Sequence, residues 1–345
     1  MTFATGPAPH VVAPSSVGRV MRIVIYALLP TIALHVVFFG PGLIVQIALA
    51  IATALAAEAM ALRLRRLPVR KYLADFSAVI TAVLITLCLP PLAPWWLVVS
   101  GTAFAILLAK HLYGGLGSNP FNPAMVGYAV LLVSFPAQLT QWLPPHVEGL
   151  SSTHPGIGDT LYTIFSGGLP AHLTWDAITS PTPLNAMRTG LTMGRTMQET
   201  VASPIFGTFG GRGWEWINVA TLAGGLWLLA LRIIRWHTPV AMLAGLCIPA
   251  ALMYSIDPGA YPGPLFQLTA GATLLGAFFI ATDPVSSATS PRGKLIYGAG
   301  IGLTTYVIRT WGGYPDGVAF AVLLMNLAVP LIDRFTVPRI YGHER

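Results

Sequence analysis

Apolar and polar positions along the chain fall into long apolar runs joined by short polar connections. Ten runs stand out, at 20–39, 42–62, 76–92, 95–110, 123–142, 216–234, 239–255, 264–282, 295–311 and 317–333. A bilayer core about 30 Å thick takes ~20 mostly apolar residues per helix, so the pattern predicts an all-α integral membrane protein of about ten transmembrane helices. Several runs are short or interrupted by Pro and Gly, which marks them as broken helices. One long polar segment, 143–215, divides the chain into a first five-helix block over 1–142 and a second over 216–345. Segment 143–215 is rich in Gly, Pro, Ser and Thr and carries three Arg, five Asp/Glu and no Lys.

Charge gives the orientation. Arg63, Arg65, Arg66, Arg70 and Lys71 follow the second run, and every second connection from there is also basic: Lys110, then Arg232 and Arg235, then Arg292 and Lys294. The tail adds Arg334, Arg339 and Arg345. The alternate connections, near Pro41, at "PPLAP" and at "DPGAYPG", have no Lys or Arg; Arg309 is the exception. The positive-inside rule then places both termini in the cytoplasm and 143–215 outside. The first 19 residues contain three prolines and lack the apolar core and small-residue cleavage site of a secretory signal, so the first run is expected to stay as a spanning helix.

The two blocks resemble each other. "YGGLGSNPFNPAMVGYAVLLV" from Tyr113 matches "WGGYPDGVAFAVLLMN" from Trp311 with a gap, and each follows a span that ends at a Pro-interrupted corner, "CLPPLAP" or "ATDPVSS". Each unit lies fourth to fifth in a set of five spans. Five is odd, so the copies must face opposite sides of the membrane: two inverted five-helix repeats, an architecture that forms sites between its halves at broken helices.

Composition narrows the chemistry. Hydrophobic residues make up 54% of the 345 and charged residues 9%, against roughly 25% charged in soluble domains. The net charge of +7 lies in loops beside apolar runs, where it sets topology, and so does not indicate nucleic-acid binding. Cys88 and Cys247, the two cysteines, cannot build a disulfide framework or an iron–sulfur site. No metal-binding motif, phosphate-binding loop or hydrolase triad is present.

Polar residues at the corners have two readings. In "GGLGSNPFNPAM", Gly114, Gly115 and Gly117 permit close backbone approach and Asn119 and Asn122 offer amides; a turn closed by Asx hydrogen bonds before a helix at Pro123 accounts for them too. Thr282 and Asp283 end a span, and Asp283 can also serve as an N-cap. Asp316 stands where a carboxylate complements a helix dipole. Within the runs, Glu58 is expected to pair with the basic loop at the membrane surface in preference to serving an ion path, and His35 to be a packed, hydrogen-bonded histidine in preference to lining an internal contact. In the polar segment, "DAITSPTPLNAM" reads as a Pro-bracketed loop leading to a short helix near Asn185.

Together "KHLYGGLGSNPFNPAMVGYAVLLVSFP", "FFIATDPVSS", "IRTWGGYPDGVAFAVLLMNLAVPLID" and the terminal "GHER" resemble the D-subunit family of Rnf electron-transport complexes, itself similar to the B subunit of the sodium-translocating NADH:quinone oxidoreductase. The resemblance covers essentially the whole chain. It implies a urea-transporter-like fold in a bacterial inner membrane with 143–215 in the periplasm. It also implies a flavin-carrying, electron-transferring subunit, without a complete reaction of its own, in an ion-translocating (Na⁺ or H⁺) ferredoxin:NAD⁺ oxidoreductase assembled with other membrane and peripheral subunits. Flavin mononucleotide (FMN) is joined through its phosphate to a threonine by a separate flavin transferase, at a motif of the form Asp-x-x-Ser/Thr-Gly-Ala-Thr. The matching positions here are Asp176, Ala177, Ile178, Thr179, Ser180, Pro181 and Thr182. Asp176, Thr179 and Thr182 fit; Ser180 replaces the usual Gly and Pro181 the usual Ala, which leaves Ser180 or Thr179 as alternative acceptors beside Thr182. A second, non-covalent riboflavin is implied among the helices, with Gly114, Gly115, Asn119, Asn122, Thr282 and Asp283 as candidates at the cytoplasmic corners. The rival from another class is a transporter or channel on the same fold with no redox role; flavin absorbance of the purified protein separates the two.

Overall fold

The computed structural model describes residues 16–147, 150 and 154–336. Residues 1–15, which include the three early prolines, Arg339, Arg345 and the terminal "GHER" lie outside them. Among the described residues the structure is helical, with a single isolated bridge between Phe206 and Gly211.

The first block contains α1 (Val17–Phe39), α2 (Gly42–Leu64), α3 (Val69–Leu73), α4 (Ser77–Leu87), α5 (Trp95–Phe104), which continues as a π-helical stretch over Ala105–His111, α6 (Pro123–Ser134) and α7 (Pro136–Leu139). The polar segment forms α8 (Ile157–Ser166), α9 (Trp175–Ile178), α10 (Pro183–Thr192) and α11 (Met197–Val201). The second block contains α12 (Trp214–Ala230), α13 (His237–Ile256), α14 (Pro264–Thr269), α15 (Thr273–Leu275), which runs into a π-helical stretch over Gly276–Ile280, α16 (Pro291–Trp311) and α17 (Val318–Thr336). By length and composition α1, α2, α13 and α17 can each cross a membrane. A helix or helix pair underlies each of the ten apolar runs, although the run at 123–142 is shorter than expected. There α6 stops at Ser134, because Pro136 cannot continue the hydrogen-bond ladder.

Helices α4 and α6 have 11 and 12 residues. At 1.5 Å per residue they reach about 16–18 Å, roughly half a bilayer core. Backbone freed at that depth must be buried in protein and hydrogen-bonded, and polar side chains on neighbouring helices meet that demand. Gln46 of α2, fully buried, donates to the carbonyls of Pro90 (2.7 Å) and Ala93 (3.4 Å) in the corner after α4. Asn326 of α17 accepts from the Asn122 backbone N–H (3.1 Å) at the start of α6, and donates to Ser286 O (2.9 Å) and to the Tyr297 hydroxyl (2.7 Å). The run at 264–282 breaks at Gly271, whose φ of +64° ends α14. Arg309 of α16 donates to Gln267 O (2.8 Å) and Ala270 O (3.3 Å) and pairs with Asp316 (2.9 Å), which in turn accepts from Ala272 N–H (2.7 Å). Asp316 also accepts from Val318 N–H at the start of α17, so the sequence reading of it as a helix-start carboxylate holds alongside this larger role.

Around these joints lies one continuous apolar core drawn from both blocks, including Leu28, Ile85, Ile106, Met125, Phe278 and Ile301. A second cluster around Phe39, Ile178 and Ile217 attaches the polar segment to the ends of α1 and α12. A third, around Leu184, Met187, Phe206 and Phe266, seats α10 on the second block.

Candidate functional site

Thr182 precedes α10, where the rigid φ of Pro183 starts the helix and the Thr182 hydroxyl accepts a hydrogen bond from Asn185 N–H (3.3 Å). Its side chain is half-buried in the wall of the larger cavity, of about 590 Å³, within the ~300–1,000 Å³ of clefts that hold cofactor-sized molecules. The neighbouring hydroxyls are engaged elsewhere. Thr179 donates to Trp175 O (2.7 Å), Ser180 turns toward Pro181 O (3.4 Å) while its backbone N–H donates to Trp142 O (2.8 Å), and neither residue lines the cavity. Asp176 lies exposed on α9, away from the cavity wall.

One face of α10 forms part of this wall. Asn185, Arg188, Thr189 and Thr192 line it at helical spacing together with Leu184, while Met187 and Gly190 are buried on the other side. Facing them are α1, α12 and the chain around Trp142. His35 of α1 is 1% exposed and sits among Phe39, Trp142 and Trp214, with ring centroids 4.9–6.2 Å away. The expectation of a hydrogen-bonded His35 is corrected in part: it is packed, but neither ring nitrogen has a hydrogen-bond partner among the described residues. Two charged residues line the cavity, Arg188 and Asp316, and Asp316 is already held by Arg309.

Asn119, Asn122, Thr282 and Asp283 line a smaller cavity of about 170 Å³. Each also has a local structural task. Asn119 donates to Phe121 O, Asn122 caps α6 through Met125 N–H, Thr282 donates to Phe278 O, and Asp283 accepts from Val285 N–H and from the Ser286 hydroxyl. Gly114 and Gly115 stand apart from this wall. They form a left-handed turn, with φ of +125° and +95°, closed by Arg65 donating to Gly114 O (2.8 Å). As it stands this cavity is below the size that takes a three-ring cofactor.

Sequence reasoning missed the charge that borders the smaller cavity. Lys110, 2% exposed, donates to Glu58 and to the Ser77 hydroxyl (2.7 Å), and His111 lies 3.3 Å from the same Glu58 oxygen. Glu58 therefore pairs inside the protein, at 2% exposure, and not with the basic loop at the surface. Its partners are 52 and 53 residues away, beyond any local spacing rule. Among the described residues no group of three or more His, Cys, Asp or Glu could hold a metal ion.

The comparisons agree over the full length. The family model for the NQR2, RnfD, RnfE family matches residues 4–342. Close relatives carry the name of the D subunit of an ion-translocating oxidoreductase complex. The one from Escherichia fergusonii is 49% identical over 353 residues, covering 100% of both chains. That from Cronobacter sakazakii is 50% identical over 352, again 100% of both. That from Vibrio cholerae is 51% identical over 350, covering 99% of this chain and 100% of its own.

Proposed function

The chain belongs to the NQR2, RnfD, RnfE family, and on that premise we propose that it is the flavin-carrying membrane subunit of an ion-translocating ferredoxin:NAD⁺ oxidoreductase complex. It passes electrons between partner subunits while Na⁺ or H⁺ moves, and completes no reaction alone. The observation that carries this reading is the position of Thr182. Of the three hydroxyls in its motif, Thr182 alone lines a cavity large enough for a flavin ring.

The residues present fit covalently held FMN. The Thr182 hydroxyl supplies the attachment oxygen, the start of α10 presents a backbone N–H toward it, and the Trp142 and Trp214 rings, packed on each other and on Phe39, form part of the cavity wall. Bound there, FMN would supply one- and two-electron redox chemistry. The Arg309–Asp316 pair keeps the break at Gly271 open beside it. The same reading puts a second, non-covalent riboflavin at the smaller cavity, which must widen to admit it.

In this reading the ten helices form two inverted five-helix repeats in the bacterial inner membrane, with both termini cytoplasmic and 143–215 periplasmic. The capping of α6 by Asn326 of α17 supports a junction between corresponding helices of the two blocks. Burial also removes the exception in the charge pattern. Arg309 is a buried ion pair, so it is not a free loop charge of the kind the positive-inside rule counts.

The test is flavin retention. Protein co-expressed with a flavin transferase should show flavin fluorescence after denaturing electrophoresis, and FMN on the peptide spanning 176–188. Thr182→Ala should abolish both, and Thr179→Ala should preserve them. An unmodified wild-type peptide, or FMN found on Ser180, would overturn the assignment.

A further inference from the structure

We propose that Arg188 is the cationic partner of the ring carried by Thr182, and that it raises the ring's reduction potential by favouring the electron-rich reduced form. This rests on the reading of Thr182 given above. The inference begins with the polar face of α10. This is an amphipathic helix whose polar residues Asn185, Arg188, Thr189 and Thr192 line the open cavity, while Met187 and Gly190 are buried against the protein. The cavity has two charged side chains in its wall. The Asp316 carboxylate is committed to Arg309 and to the backbone N–H groups of Ala272 and Val318. Arg188 is half-buried and has no ion pair among the described residues, so the wall carries one uncompensated positive charge.

A guanidinium cannot discharge itself by losing a proton, and its planar fork suits oxygen and nitrogen acceptors along the edge of a flat ring. Side chains of a helix lean toward its N-terminus, which here means toward Thr182. The N-cap of α10 and the cavity-lining side of the helix thus supply both the tether and a fixed positive charge to one cavity. An oxidised isoalloxazine is neutral; adding electrons places negative charge on its pyrimidine portion, where an adjacent cation stabilises it.

The experiment uses the full-length protein with its attached flavin. Arg188→Gln keeps the length and polarity of the side chain and removes the charge, and Arg188→Lys restores it. Spectroelectrochemical titration should show the potential of the Thr182-linked flavin falling in Arg188→Gln, such that the ratio of reduced to oxidised ring at a fixed potential drops about tenfold, the scale of one charge-assisted hydrogen bond. Arg188→Lys should recover part of the shift, and in-gel fluorescence should remain at wild-type intensity in both. A potential unmoved in Arg188→Gln, with the flavin still attached, would overturn the role of Arg188 and leave Thr182 standing. Absence of covalent flavin from the wild type would remove the reading of Thr182 and this inference with it.

Discussion

Glu58 receives the Lys110 ammonium inside the protein, and its second carboxylate oxygen has no partner among the described residues. Removing one member of such a pair strands the other charge where water cannot reach it. Truncating a single partner of a buried ion pair costs about 3–5 kcal/mol, whereas replacing both with apolar groups of similar size is far less harmful. Glu58→Ala should therefore lower the thermal unfolding midpoint in detergent sharply, and Glu58→Leu combined with Lys110→Met should recover most of the loss. Equal loss in the single and double variants would mean that packing, and not charge, holds this position. Residues of this kind also mark where the sequence is silent. The proposal for Thr182 could be made from the sequence because the motif that the resemblance carries is contiguous, Asp176 to Thr182. The Lys110 partnership could not, because a π-helical stretch at the end of α5 brings it to α2, and nothing within a few residues of Glu58 signals that approach.

At the scale of elements, apolar periodicity located the helices well, because each must bury or present an apolar surface regardless of its partner. It overstated the lengths of those that break, since Pro136 and Gly271 stop a helix without interrupting an apolar run. Packing is set by residues that periodicity ignores. Helices α13 and α16 approach through Gly245, Gly298 and Gly302, with the last two four positions apart on one face of α16. A Cβ added at Gly302 would fall 2.1 Å from Met242 O, and one at Gly298 2.5 Å from Thr238 O. Small residues at this spacing let two helices touch backbone to backbone where lipid offers no hydrophobic drive. Gly302→Leu must push the pair apart, and overpacking of this kind typically costs about 1–3 kcal/mol. The variant should show a lower unfolding midpoint, while Gly313→Ala, in open space within a loop, should match the wild type. A wild-type midpoint for Gly302→Leu would mean that the two helices are not held at this distance.

At the scale of the whole molecule, orientation depends on which charges are free. Arg63, Arg65, Arg66, Arg70 and Lys71 are exposed in one connection, and Arg232, Arg235, Arg292 and Arg334 are exposed in others that the alternation puts on the same side. Lys110 and Arg309, one from each side, are spent in buried pairs. Removing them leaves every free cation of the membrane blocks' described connections on a single side, so the positive-inside argument grows stronger once burial is known. On the proposed orientation the polar segment lies opposite the basic connections, with the proposed flavin-bearing threonine on the outer face. Single cysteines test this placement. With Cys88 and Cys247 replaced by alanine, Gln198→Cys on the exposed surface of α11 should react with a membrane-impermeant maleimide added to spheroplasts, whose outer membrane has been removed. Lys71→Cys, in the basic connection, should react only after the membrane is permeabilised. Both sites are exposed in the folded chain, so a difference between them reports sidedness and not burial. The reverse pattern would turn the molecule over and place Thr182 in the cytoplasm, where the proposed outer-face attachment of the flavin could not stand.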